Sequence, residues 1–102
     1  MINAPQRAEY LMSTSTESDT ALITHWIEPN PHKSGSAEAW IGEYGVSVWA
    51  LIGYLELNDW DADVTANDYR LPKQAVQAAI AYYKRNRTVI DARITTNRAA
   101  LA

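Results

Sequence analysis

The chain has 102 residues, no cysteine and a formal net charge of −3. This length suits one domain with a single modest core, and the lack of cysteine excludes disulfides and thiolate metal sites. The first residues lack the basic end and apolar core of a signal peptide, and no stretch approaches the ~20 apolar residues of a membrane span. We therefore expect a cytoplasmic protein with no membrane partner.

The first twenty residues are predicted to form a helical arm and a linker. Asn3 is a suitable cap for a helix over about residues 4–12, with Pro5 in its first turn. Residues 13–20 contain no apolar side chain and are typical of a flexible linker. We divide the chain into this arm and linker, residues 1–20, and a single domain, residues 21–102.

Two short strands are predicted next. Residues 22–27 are rich in β-branched and aromatic side chains and stop before Pro29, which indicates a strand followed by a turn. Residues 38–44 follow a Gly- and Ser-containing loop and are expected to return as a second strand, which ends near Gly45. These strands form a small β element ahead of the core helices.

The next two predicted elements are helices. An apolar stripe at helical spacing predicts a helix over about residues 46–57; it consists of Val48, Leu51, Ile52 and Leu55. Asn58 and Asp59 end that helix. Asp61 or Asp59 then caps a short helix that continues to about Asn67.

A longer helix is predicted from Pro72 to about Arg85, with Pro at a favourable first position. Its buried stripe is expected to be Ala75, Val76, Ala79, Ile80 and Tyr83, and its opposite side to carry Lys73, Gln74, Gln77, Lys84 and Arg85. Asn86 starts or kinks a last helix, whose apolar side is marked by Ile90, Ile94 and Leu101.

A helix, a short helix and a longer helix joined by tight turns form the outline of a helix-turn-helix core. The predicted fold class is therefore mainly α, with a small N-terminal β element and an extra C-terminal helix.

The charge is divided unequally along the chain. Residues 1–69 hold eleven acidic residues against Arg7 and Lys33, a balance of −9, whereas residues 70–102 hold seven basic residues against Asp91, a balance of +6. One interpretation is two solvated faces that attract each other within or between subunits. The other is a basic surface for nucleic acid beside an acidic surface for a protein partner.

The motifs of common metal sites and enzymes are incomplete. Asp59, Asp61 and Asp63 match the start of a calcium loop, but Val64 and Arg70 stand where that loop requires Gly and Glu. His25 and His32 lack zinc-ligand spacing. No Gly-rich phosphate loop or nucleophile motif is present. We predict a protein without a metal or other cofactor and without enzymatic activity.

The chain resembles a family of small bacterial proteins known as "domain of unknown function 433". The resemblance extends over about residues 23–94. It is carried by Tyr69-Arg70-Leu71-Pro72, by residues 75–83 (Ala-Val-Gln-Ala-Ala-Ile-Ala-Tyr-Tyr), by residues 90–94 (Ile-Asp-Ala-Arg-Ile) and by residues 46–51 (Val-Ser-Val-Trp-Ala-Leu). It implies a homeodomain-like helix-turn-helix core. It also implies an antitoxin of a toxin–antitoxin pair, partnered with a PIN-like ribonuclease.

One segment departs from that family. Its members usually carry a Gly/Pro-rich stretch that ends in Gly-Thr-Arg before the first core helix, whereas residues 39–45 here read Ala-Trp-Ile-Gly-Glu-Tyr-Gly. The arginine and the proline are absent, and Glu38 and Glu43 add negative charge. Whatever role that arginine has in relatives does not transfer to this chain.

Two functions remain open. As a DNA-binding antitoxin-like regulator, a homodimer would read bases with the longer helix and neutralise phosphates with nearby cations. The residues predicted for this surface are Arg70, Lys73, Gln74, Gln77, Lys84, Arg85 and Arg87. The alternative is a protein–protein interaction or dimerisation module with no DNA role, which four tryptophans in a small chain favour because aromatic residues are enriched at interfaces.

Overall fold

The structure, a computed structural model, describes residues 16–101 and is mainly helical within that range. Five α-helices are present in the described residues: α1 Glu17–Trp26, α2 Val48–Leu57, α3 Ala62–Tyr69, α4 Lys73–Arg85 and α5 Arg87–Leu101. A 3-10 helix, Ser36–Glu38, and a small antiparallel sheet complete the fold. The predicted mainly α class with a small β element is confirmed. No helix in this range is both long enough and apolar enough to cross a membrane.

Two predictions for the start of the described chain are wrong. Residues 17–20 are helical rather than linker, and residues 22–26 are helical rather than strand. The Thr16 side chain accepts a hydrogen bond from the Asp19 backbone N–H (3.2 Å) and caps the first turn of α1. α1 packs along α4, and this tertiary contact outweighs the strand propensity of its sequence. The helix predicted over residues 4–12 and the linker residues 13–15 lie outside the described residues.

The sheet consists of three two-residue strands in the order β1-β2-β3. They are β1 Ile27–Glu28, β2 Trp40–Ile41 and β3 Val46–Ser47. The strand predicted over residues 38–44 is reduced to β2, because residues 36–38 form the 3-10 helix and residues 42–45 form a turn; β3 was not predicted. Gly45 has a φ of 64°, and its N–H donates to the Ile41 carbonyl (2.8 Å), which closes the turn. Ile41 is fully buried and attaches the sheet to the core.

The helices predicted as α2, α3, α4 and α5 are present, except that residues 46 and 47, predicted as the start of α2, form β3. Asp61 is the cap of α3, and its carboxylate accepts a hydrogen bond from the Val64 N–H (3.0 Å). Asn58 ends α2 and Asn86 ends α4, each through a backbone N–H bonded to the preceding turn. The buried core combines the apolar stripes of these helices with Ile41; its largest fully buried apolar members are Ile41, Val48, Leu51, Ile52, Leu55, Val76 and Ile90.

Helix α4 lies at the centre of the fold and is buried on two sides rather than one. Four of the five residues predicted for its buried stripe are buried, and Ile80 is half-buried. Ala78 and Ala81 are also buried, outside the main core cluster. They share a helix face with Arg85, whose guanidinium contacts α1, so α1 covers this second side. The small alanine side chains let the neighbouring helices approach α4 closely.

Candidate functional site

One side of α4 remains open to solvent. Lys73, Gln74 and Gln77 are exposed, and Ile80 and Lys84 continue the same side in a half-buried state. Spacings of three and four residues place these side chains in one row along the helix. Both glutamines therefore present their amides to solvent next to a lysine.

The cations at the C-terminal end of α4 are held by α1. Lys84 Nζ lies 3.6 Å from Asp19 Oδ2. Arg85 Nη2 donates to Thr20 Oγ1 (2.7 Å) and to the Thr16 carbonyl (3.3 Å). These two predicted DNA-binding residues thus have a structural role in attaching α1 to α4, and the sequence prediction missed it because it did not place α1 as a helix.

The other predicted site residues lie at the two ends of α4. Lys73 pairs with Asp63 on α3 (3.1 Å), and both side chains are well exposed, so the pair contributes little stability. Arg70 is exposed in the turn before α4, with a left-handed backbone (φ 57°). Arg87 begins α5, and its guanidinium lies 5.3 Å from the centre of the Tyr83 ring.

Four ion pairs connect the acidic and basic parts of the described chain. The pairs are Lys73 with Asp63 (3.1 Å), Lys84 with Asp19 (3.6 Å), Arg93 with Glu38 (2.9 Å) and Arg98 with Glu56 (3.2 Å). Each joins an acid from residues 16–69 to a base from residues 70–101. The attraction predicted from the charge pattern is therefore present within a single chain.

Arg93 makes the most enclosed of these pairs. Its Nε donates to Glu38 Oε2, and its guanidinium stacks 4.1 Å from the centre of the Trp49 ring. Both charged side chains are largely buried. The contact joins α5, the 3-10 helix and α2, and it gives Glu38 a structural partner.

A cleft beside the exposed side of α4 was not predicted. Its walls are Trp60, Ile80, Tyr83, Lys84 and Arg87, and it encloses about 310 Å³. Trp60 is 43% exposed, and its ring centroid lies 5.9 Å from that of Tyr83. Asp59 and Trp60 both have left-handed backbones (φ 55° and 58°), an uncommon conformation for such side chains. In the sequence, Asn58 and Asp59 predict that α2 ends here, but they do not predict two consecutive residues with left-handed backbones.

Tyr83 connects the cleft to α5. Burial, and then the hydrogen bond that its hydroxyl donates to Asp91 Oδ1 (2.7 Å), raise the pKa of Tyr83 to about 12. The phenol is therefore neutral at ordinary pH and acts as a hydrogen-bond donor. Its position between the core and the cleft suits a structural role.

Metal ligands are not clustered in the part of the chain that the structure describes: no group of three or more His, Cys, Asp or Glu side chains lies in a suitable arrangement there.

Comparisons with known proteins do not assign the chain to a family. No protein-family model, no curated protein and no solved structure matches it.

Proposed function

We propose that this protein is an antitoxin-like regulator that binds operator DNA through a helix-turn-helix unit formed by α2, α3 and α4. We further propose that it is a divergent member of the "domain of unknown function 433" family. The family proposal rests on the sequence resemblance, and so does the proposal of a PIN-like ribonuclease as its protein partner. The DNA-binding proposal has additional support from the geometry of α3 and α4.

The connection between α3 and α4 supports the helix-turn-helix proposal. Three residues, Arg70 to Pro72, separate the helices, a length typical of this motif. The Leu71 N–H donates to the Ala66 carbonyl (2.9 Å), and the Arg70 N–H donates to the Asn67 carbonyl (3.2 Å), which is the Schellman arrangement. Leu71 is buried, so the turn is fixed to the core.

The observation that carries the proposal is the exposed polar side of α4. A recognition helix needs one side buried against its own domain and another that presents several polar side chains to base edges. On α4 the exposed side offers Lys73, Gln74 and Gln77, and a glutamine amide can form two hydrogen bonds with an adenine edge. Lys73 in the same row, with Arg70 and Arg87 near the two ends of the helix, supplies the cations proposed to contact phosphates.

The test is fluorescence anisotropy of the full chain with a duplex from its own upstream region and with a scrambled duplex. We expect the double variant Gln74→Ala/Gln77→Ala to bind the upstream duplex roughly 5- to 150-fold more weakly, which corresponds to ~1–3 kcal/mol of discrimination. Its binding to the scrambled duplex should not change. The matched control is Thr95→Ala/Thr96→Ala, which removes two exposed polar side chains from α5 and should bind both duplexes normally.

Lys73→Gln tests the phosphate contact separately. It should weaken binding to both duplexes equally and lower the slope of log affinity against log salt by about one. Lys84 and Arg85 are unsuitable for this test, because their replacement also loosens α1. Equal, negligible binding of the folded protein to both duplexes would reject the DNA-binding proposal.

The alternative function, an interaction module without a DNA role, has its own supporting observation. None of the four tryptophans belongs to the fully buried core, and Leu57 and Leu101 are largely exposed. Such apolar surface is typical of a protein-binding face. A negative DNA experiment would favour the interaction module.

A further inference from the structure

A shallow apolar groove, which we call the α2–α5 groove, lies on the surface of the fold between helices α2 and α5. It encloses about 320 Å³, and its main lining residues are Ala50, Gly53 and Leu57 from α2 with Ile94, Asn97 and Leu101 from α5. It shares no lining residue with the cleft at Trp60. We propose that this groove is the interface with a second copy of the same chain.

The groove contains both a hollow and projecting side chains. A Cβ atom built on Gly53 meets nothing within 4 Å, so the surface over this residue is open. Leu57 and Leu101 flank the groove and are 76% and 79% exposed, the highest values among the large apolar side chains of the described residues. Two leucines left in water beside an apolar hollow lose the stabilisation that burial would give them.

A two-fold symmetric contact requires one patch to carry both complementary parts. Gly53 and Leu57 are four residues apart and lie one above the other on the same side of α2. If two copies of α2 cross in antiparallel directions between these residues, Leu57 of each copy enters the hollow over Gly53 of the other. The spacing thus makes the groove complementary to itself.

The charges at the edge of the groove favour a second copy over a strongly charged partner. Arg98 pairs with Glu56 there (3.2 Å), and more than half of the Arg98 side chain remains exposed. This pair gives the edge one charge of each sign, and a two-fold axis through the groove lets Arg98 of each copy pair with Glu56 of the other. The exposed Asp68 carboxylate, which accepts a hydrogen bond from the hydroxyl of the lining residue Tyr54, adds a further negative charge beside it.

The first test is the mass of the full chain in solution, measured by light scattering over a range of concentrations without DNA. We expect twice the mass of one chain. Leu57→Glu should halve the mass, because it places a carboxylate in the apolar contact, and Gly53→Gln should do the same by filling the hollow. The control is Val64→Glu, which adds the same charge at an exposed apolar position on α3 and should leave the dimer intact.

The second test identifies the contact itself and does not depend on a variant that weakens the dimer. The chain has no cysteine, so single-cysteine variants form disulfides without background. An oxidised mixture of Gly53→Cys chains and Leu57→Cys chains should give a cross-linked dimer of one chain of each kind, whereas Val64→Cys chains should give none.

A single-chain mass at all concentrations, dimers that persist in both groove variants, or no Gly53–Leu57 cross-link would each overturn the proposal. Because neither readout involves DNA, a failure here is separate from a failure of DNA binding.

Discussion

Thr65 places a hydroxyl in the core without a hydrogen-bond partner among the described residues. The residue is fully buried on α3, and its Oγ1 makes no hydrogen bond with the described residues. An unsatisfied buried hydroxyl carries a desolvation cost that a methyl group of similar size does not. At this position the side-chain polarity opposes folding.

We expect Thr65→Val to raise the free energy of unfolding by about 1 kcal/mol. Urea denaturation followed by circular dichroism measures the change. Thr65→Ser is the control, since it keeps the hydroxyl and removes the methyl group, and it should be less stable than the parent chain. A valine variant that is less stable than the parent would show that the hydroxyl is satisfied.

Arg70 concerns both stability and DNA binding. It occupies the left-handed position of the turn after α3, where glycine is the usual residue because a Cβ atom is disfavoured there. Arg70→Gly should stabilise the fold by about 1 kcal/mol. Arg70→Ala removes the same guanidinium without relieving the backbone, so thermal unfolding should rank the glycine variant above the alanine variant. If the glycine and alanine variants are equally stable, backbone strain at Arg70 is excluded. In the DNA assay both variants should lose the same phosphate contact.

At the scale of elements, the contact of Arg93 with Glu38 and Trp49 joins α5, the 3-10 helix and α2. We expect Arg93→Ala to lower the free energy of unfolding by about 2 kcal/mol, because it removes a charge-assisted hydrogen bond and a stacked cation. Arg93→Lys keeps the charge but not the planar group and should recover less than half of the loss in a denaturant titration. Full recovery with lysine would mean that the planar shape of the guanidinium contributes nothing to the contact with Trp49.

The elements also show which parts of the fold are predictable from local sequence. Helices α2 to α5 follow from apolar residues at helical spacing and from side chains such as Asp61 that cap or end them. Helix α1 does not, because residues 22–27 favour a strand locally, yet residues 22–26 are helical against α4, which comes much later in the sequence. The two-residue strands are too short to leave a periodic pattern.

The same distinction applies to the candidate site. Helical spacing alone predicts that Gln74 and Gln77 lie on the exposed side of α4, and the structure places them there. The engagement of Lys84 and Arg85 by α1 was not predicted, because it depends on a distant segment. Leu101 was expected on the apolar side of α5, yet it lies at the surface, since periodicity indicates a face but not whether anything covers it.

At the scale of the whole molecule, the unequal division of charge along the chain produces ion pairs that hold the fold together. All four ion pairs among the described residues connect the acidic first part with the basic second part. Much of the positive charge that could attract nucleic acid is therefore already matched. The proposed DNA contact then depends on a few positions, above all the exposed row on α4, rather than on a broad basic surface.

The packing of α1 on α4 has a consequence for the order of events during synthesis. α1 leaves the ribosome before the sheet, α2 and α3, and well before the helix that covers it. In that interval residues 22–26 of α1 have no α4 to hold them, and their local preference is for extended backbone. The nascent chain therefore carries an uncovered segment prone to strand pairing until α4 has emerged from the ribosome, and the N-terminal helix of the described fold is among the last parts to reach its final contacts.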